Sequence, residues 1–464
     1  MSTSANTNVV DVTPCDPQLI QLTHSIRMEN DTGEINLRLS HWFIDPHAFR
    51  SAQAQCEALI TGQFPRHFFA QTWDYEKLWD DLIVMTNSNP DPLYTFLGSE
   101  GYAQEAGATQ RANQIAYRKT DEFGLELRVV VHVRTSMFQL LRDAETTADL
   151  NFISWNKAYS MLPVATFVKK EAYVLTERID EIPAATYQHL EREGICVKRI
   201  PWTSSYDVAV PRRRRVGDEH SWTIGLDTAD ITPPYTIGTE QSGVFTAALE
   251  MNTFKIFRRP FSSSFSSSSS SYGCYVIQAR LLRSVALRYD YTVAATDQEH
   301  LHRKLQILHK FLDEATMFGL AKLDEANRPP QFRDLAAGTT NSGKLKGMLE
   351  LPGGWTYHDE EAIAFLRAAW DGQLKLDADK AAAPPEKTAE TENTADKATA
   401  PPEKISEMKK HGADDNAMLQ PTFTEGWSFT RTTVHAIAGF IILFALVVYL
   451  KGPPTGWDLD GQDL

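Results

Sequence analysis

The chain has 464 residues, of which 42% are hydrophobic and 10% aromatic, and a formal net charge of -14. That is enough apolar material for two or three domains, but too acidic a balance for a broad nucleic-acid surface, which needs clustered Lys and Arg to displace counterions. Cys15, Cys56, Cys196 and Cys274 lie far apart without a CxxC pair, which suits neither a disulfide framework nor a closed zinc site and fits reduced thiols in the cytosol.

The opening segment, 1–17, has neither the basic start nor the apolar run of a signal peptide and reads as disordered. A head spanning 18–375 follows, with 185–220 as the candidate place for a subdomain boundary. Its first helix is well punctuated: Asp45 caps, Pro46 fits the first turn, Phe49, Ala52, Cys56 and Leu59 recur at helical spacing, and Gly62 follows. Trp73, Asp74, Trp79, Asp80 and Asp81 suggest either a carbohydrate cleft or the solvated face of an amphipathic helix, and the helix explains them more simply. Residues 115–119 and 125–134 flank the turn TDEFG and predict a hairpin.

Arg212, Arg213, Arg214 and Arg215 form a basic run in an acidic head. Such a run can touch anionic lipid headgroups or a partner, or it can be a solvated loop whose charge is met by Asp218 and Glu219. A larger hairpin is expected from 244–258 and 275–293, both read as strands rich in β-branched and aromatic residues. Between them lies a tract of nine serines interrupted by Phe265, a loop open to phosphorylation beside Arg258 and Arg259. A second helix is expected from Thr296, with Glu299 completing a capping box and Leu301, Leu305, Leu308 and Leu312 on one face. A third, near 359–370, carries Ile363, Leu366 and Trp370. Two hairpins imply antiparallel pairing, so the head is read as α+β with a mostly antiparallel sheet and packed helices.

Chemical motifs are sparse. Gly338 to Lys344 match GxxxxGK, making Gly338, Gly343 and Lys344 a phosphate-loop candidate, but Leu345 stands where a magnesium-binding Ser or Thr belongs and no apolar strand precedes. His41, His47 and His67, and His300, His302 and His309, lack metal-ligand spacing, and there is no GxSxG elbow. No catalytic residue, cofactor or metal is therefore expected.

Residues 376–425 carry 11 acids and 6 lysines among Ala, Pro and Thr, with DKAAAPPEK and DKATAPPEK as a near duplication, and read as a disordered linker. A flexible coil of that length reaches roughly 40 Å. Then come 19 residues, 432–450, without Asp, Glu, Lys or Arg, including Ile437, Phe440, Ile441, Leu443, Phe444, Leu446 and Val447. As a helix they span about 28 Å, close to a bilayer's hydrocarbon core. Trp427, Phe429, Tyr449 and Trp457 put aromatic rings near both interfaces. The tail, 451–464, is acidic rather than basic, which favours the endoplasmic reticulum over the mitochondrial outer membrane.

The expectation is a tail-anchored single-pass membrane protein: the C-terminal helix enters the lipid bilayer, and a cytosolic head serves as a protein- or lipid-binding adaptor with a protein partner and no nucleic acid. The alternative is a membrane-tethered enzyme acting on a hydrophobic small molecule. A deep apolar pocket holding perturbed ionisable groups would favour the enzyme.

Overall fold

The computed structural model describes residues 34–71, 81–86, 89–105, 113–133, 136–175, 184–198, 213–233, 244–258, 275–295, 299–349, 351–352 and 354–382. All lie in the unit Met1–Pro385. The N-terminal segment 1–17, Arg212, the serine tract, most of the linker and the apolar stretch 432–450 fall outside the described residues. Among the described residues, no helix is long and apolar enough to cross a membrane.

Fourteen strands are described: β1 (Leu59–Thr61), β2 (Leu82–Thr86), β3 (Ala103–Gln104), β4 (Gln114–Thr120), β5 (Glu126–Val133), β6 (Asn151–Ile153), β7 (Lys157–Ser160), β8 (Glu171–Tyr173), β9 (Cys196–Lys198), β10 (Arg213–Arg215), β11 (Trp222–Gly225), β12 (Thr253–Arg258), β13 (Tyr275–Leu282) and β14 (Tyr291–Ala294). They form an eight-stranded sheet in the order β11-β7-β6-β1-β2-β5-β4-β3, a four-stranded sheet β10-β12-β13-β14, and the pair β8-β9. Among the described residues, only β2 with β5 and β8 with β9 run parallel. The described region is thus α+β with mostly antiparallel sheet and packed helices, as expected.

Local chemistry explains the elements that matched. Asp45 caps the helix Pro46–Gln55 by accepting from the Ala48 amide, with Pro46 in the first turn. In the β4–β5 hairpin the Asp121 carboxylate accepts from the amides of Phe123 and Leu125, and Gly124 takes φ +82°, a backbone conformation that a side chain would strain. The β12–β13 pairing runs from Lys255↔Gln278 to Arg258↔Tyr275. Leu301, Leu305, Leu308 and Leu312 line the buried face of the helix Glu299–Ala321.

Four expectations are corrected. Residues 275–293 are not a single strand but divide into β13 and β14 around the turn 283–290. Leu59 lies in β1, because the first helix stops at Gln55 and Glu57 turns the chain through φ +51°. Residues Val244–Glu250 form a helix, and only 253–258 are strand. VFTAALE buries Phe245, Ala248 and Leu249 at helical spacing, and its Ala, Leu and Glu favour helix. Asn252 ends that helix by donating to the Ala248 and Leu249 carbonyls, while its own oxygen accepts from the Thr292 amide. Lastly, the helix expected near 359–370 runs on to Ala382.

Among the described residues, two large apolar cores and two small clusters result. One, with Phe49, Phe43 and Trp222, packs helices 46–55, 63–70 and 91–99 on the eight-stranded sheet. The other joins Phe254, Tyr291, Leu312 and Leu366 around the four-stranded sheet.

Candidate binding site

Arg213–Arg215, the described part of the arginine run, form a strand rather than a solvated loop. β10 pairs with β12 through Arg213↔Lys255, Arg214↔Phe254 and Arg215↔Thr253, so alternate side chains take opposite faces. Arg214 is 0% exposed. Its Nε and Nη2 donate to the two Asp218 oxygens at 2.8 and 2.7 Å, and Nη2 also donates to Ser221 Oγ at 3.0 Å. Burial alone would raise the Asp218 carboxyl. The Arg214 guanidinium, with hydrogen bonds from Arg214, the Arg215 amide and Ser221, outweighs it and holds that carboxyl below its ordinary value. The counter-charge role expected for Asp218 is therefore real, and it is spent inside the fold. Glu219 instead lies 3.6 Å from His220 at the surface.

Arg213 and Arg215 take the other face. With Gly217, His220, Thr223, Trp370 and Leu374 they border a cavity of about 320 Å³. Arg215 Nη1 donates to the Glu250 carbonyl at 3.2 Å, and its guanidinium lies 5.9 Å from the centre of the Trp370 ring, within cation–π range. Two cations and an aromatic wall in one concavity can hold an anion that carries an apolar or ring-shaped body.

A second cluster is buried where the sheets meet. Glu57, 2% exposed, accepts from the Tyr289 hydroxyl at 2.7 Å and pairs with Arg288 Nη2 at 2.6 Å. Asp359 accepts from the Arg288 and Tyr289 amides at 2.7 and 3.1 Å and from the Tyr291 hydroxyl at 2.8 Å. Lys346 donates to Asp290 at 2.7 Å and to the Arg288 carbonyl at 3.1 Å. Burial raises both the Glu57 and Asp359 carboxyls and lowers the Lys346 ammonium. Glu57 and Tyr289 border a cavity with Leu59, Met85, Met137 and Phe245, but its volume is about 40 Å³. Sequence reading missed this cluster because its members lie up to 302 residues apart.

The phosphate-loop candidates are not brought together with either cavity. Gly338, at φ +69°, closes the helix Gln331–Ala336 by donating its amide to the Leu335 carbonyl. Asn341 caps the short helix Ser342–Leu345 through the Lys344 amide, Ser342 is buried on Asp313 and Ser284, and the Lys344 side chain is exposed. A methyl group at Gly343 would stand 2.5 Å from the Arg283 carbonyl oxygen, so this glycine permits close packing. Gly343→Ala is expected to cost about 1–3 kcal/mol, and Lys344→Ala within about 0.5 kcal/mol, both read from urea midpoints. A Gly343→Ala protein as stable as wild type would remove the packing role.

Histidines are dispersed: His41 packs edge-on against Trp42, His47 meets Asn36, His67 lies 3.7 Å from Glu193, and His302 bonds Gln306. Among the described residues, no group of three or more His, Cys, Asp or Glu could hold a metal ion. The Cys56 thiol is pushed up to about 11 by burial, which makes it a poor nucleophile. Asp81 pairs with Arg128, while Trp73, Asp74, Trp79 and Asp80 lie outside the described residues. No family model, curated protein or solved structure matches the chain.

Proposed function

We propose that the chain is a single-pass membrane protein, anchored through 432–450, whose cytosolic head is a binding module that docks an anionic partner at the Arg213–Arg215 face. One observation carries the reading: an acidic head places two arginines and Trp370 around a cavity of about 320 Å³, at the low end of ligand-site volumes of about 300–1,000 Å³. The uncharged length of 432–450 supports the anchor, and the acidic linker supports a head free to reach away from the bilayer. The rival, an enzyme held at the membrane, would use the Glu57 cavity. About 40 Å³ there admits water-sized guests, which favours binding over small-molecule chemistry.

The test is extraction of membranes with alkaline carbonate and protease treatment of sealed vesicles. The full chain is expected to stay in the carbonate pellet, a chain ending at 425 to enter the supernatant, and external protease to release the head. A truncated chain that remains in the pellet would sink the anchor, and a protected head would reverse the topology.

A further inference from the structure

We propose that the outer face of the helix Glu299–Ala321 is an interfacial contact that lays the head on an anionic bilayer surface, its apolar side chains entering the headgroup layer between lysines. The inference rests on reading the head as held near a membrane, and its test separates the two.

The face follows from the period of the helix. Leu301, Leu305, Leu308, Leu312 and Leu320 turn into the core, and a methyl group at Gly319 would stand 2.6 Å from the Trp355 ring, so that side of the helix is filled. Residues 304, 307, 311, 314 and 318, spaced three or four apart, share the opposite side. There Ile307 is 58% and Phe318 65% exposed, with Phe311 half-buried between them against His358. Exposed apolar residues scattered singly are ordinary, whereas several aligned on one helix form a patch of the kind that marks a contact.

Charge chooses the partner. The exposed Lys304 stands at one end of this stripe and the exposed Lys322, just past the helix end, at the other, about 27 Å apart along the axis. Among the described residues, no carboxylate lies within ion-pair distance of either, although Asp324 and Glu325 follow in the next turn. Lys310 meets Glu314 at 3.8 Å with both side chains at least half exposed, a pair that water screens. Asp313 is turned to Ser342 on the packed side. The chain as a whole carries -14, so an anionic surface repels it and favours approach by a locally cationic face. Ile44 and Phe123 show the contrast: both are strongly exposed, but Ile44 precedes Asp45 and donates its amide to Glu100, and Phe123 follows Asp121 and Glu122.

Lysine suits the edge of such a contact, because its stem lies along apolar surface while the ammonium reaches the phosphates. Each cation adds roughly fivefold to partitioning onto an anionic leaflet. A head tethered to the same bilayer needs only a weak contact, since its local concentration there is high. A second copy fits this face poorly: whichever way two such helices were laid together, the lysines at their ends would face lysines.

The experiment is hydroxyl-radical footprinting of the full chain reconstituted into vesicles of phosphatidylcholine, alone or with about one-third phosphatidylserine. It reads oxidation of Phe318 relative to Phe123 in the β4–β5 turn, with flotation of the same samples. The ratio is expected to be at least threefold lower on the phosphatidylserine vesicles. Lys304→Gln/Lys310→Gln/Lys322→Gln should abolish the difference, and Ile307→Ser should remove at least half of it. If the triple variant fails to fold, Lys304→Gln/Lys322→Gln carries the same expectation. An equal ratio on both vesicles, or a difference that survives in the lysine variants, would overturn the proposal. So would protection that deepens with the protein-to-lipid ratio, which would assign the face to a second copy. A chain that floats on both vesicles with Phe318 open loses this contact and keeps the anchor. One that floats only on phosphatidylserine with Phe318 covered keeps the contact and loses the anchor, and one that floats on neither loses both.

Discussion

Replacing Asp218 by alanine is expected to destabilise the head by about 3–5 kcal/mol, a large part of the roughly 5–15 kcal/mol that holds a domain folded. The reason is Arg214, fully buried on the inner face of β10 with Asp218 as its carboxylate partner. Taking away the acid leaves a guanidinium in apolar surroundings, where a buried cation without a counter-ion costs several kcal/mol. Urea denaturation should show the midpoint falling with little change in slope. The double variant Arg214→Met/Asp218→Leu should recover most of the loss, because both charges and their desolvation disappear together. A single variant as stable as wild type would mean that the pair contributes nothing.

The same pair sets a pH dependence of known sign. Asp218 is held below its ordinary carboxyl value in the fold, so its contribution is complete above the unfolded value of about 3.9. It is lost as pH falls through the lower, folded value. Acid unfolding of the wild type should therefore have a component that the double variant lacks.

The legible parts of this fold are those written in neighbouring residues. Asp45 before Pro46, and Asp121 with Gly124, define their turns within five positions, so one helix and one hairpin could be read directly. The stretch 244–258 was harder because VFTAALE can alternate as a strand or wind as a helix, and the decision lies with Asn252, whose amide caps the helix while its oxygen meets Thr292 forty residues on. The arginine run was visible as charge, and Asp218 as its partner. What stayed hidden was the alternation that sends Arg214 inward and Arg213 and Arg215 outward. Trp370 read as a core residue from its helical spacing, whereas the structure turns it toward Arg215. Glu57 could not be seen at all, since its partners are 231 and 232 residues away.

Glu57 gives the opposite pH signature to Asp218. It stands just before β1, an interior strand of the eight-stranded sheet, and its partners Arg288 and Tyr289 lie in the turn between β13 and β14 of the four-stranded sheet. Its carboxylate therefore ties the two sheets together. Burial raises that carboxyl in the fold, against the attraction of Arg288 and the Tyr289 hydrogen bond, and the nearby Asp359 charge pushes it in the same upward direction. A raised folded value means that the native state holds the proton longer than the unfolded chain. The contribution is complete below the unfolded value of about 4.3 and is lost as pH rises through the folded one. Glu57→Gln removes this titration while keeping an oxygen that can accept from Tyr289. Its stability relative to wild type is expected to improve steadily as pH is raised from 4, measured by urea midpoints at each pH. Glu57→Ala shares the strained φ of +51° but leaves the Tyr289 hydroxyl and Arg288 without their acceptor. It should fall below the glutamine variant by about 1–3 kcal/mol at every pH. Parallel pH profiles for wild type and Glu57→Gln would mean that the carboxyl titrates alike in both states, and equal stability of the two variants would mean that the acceptor oxygen does not join the sheets.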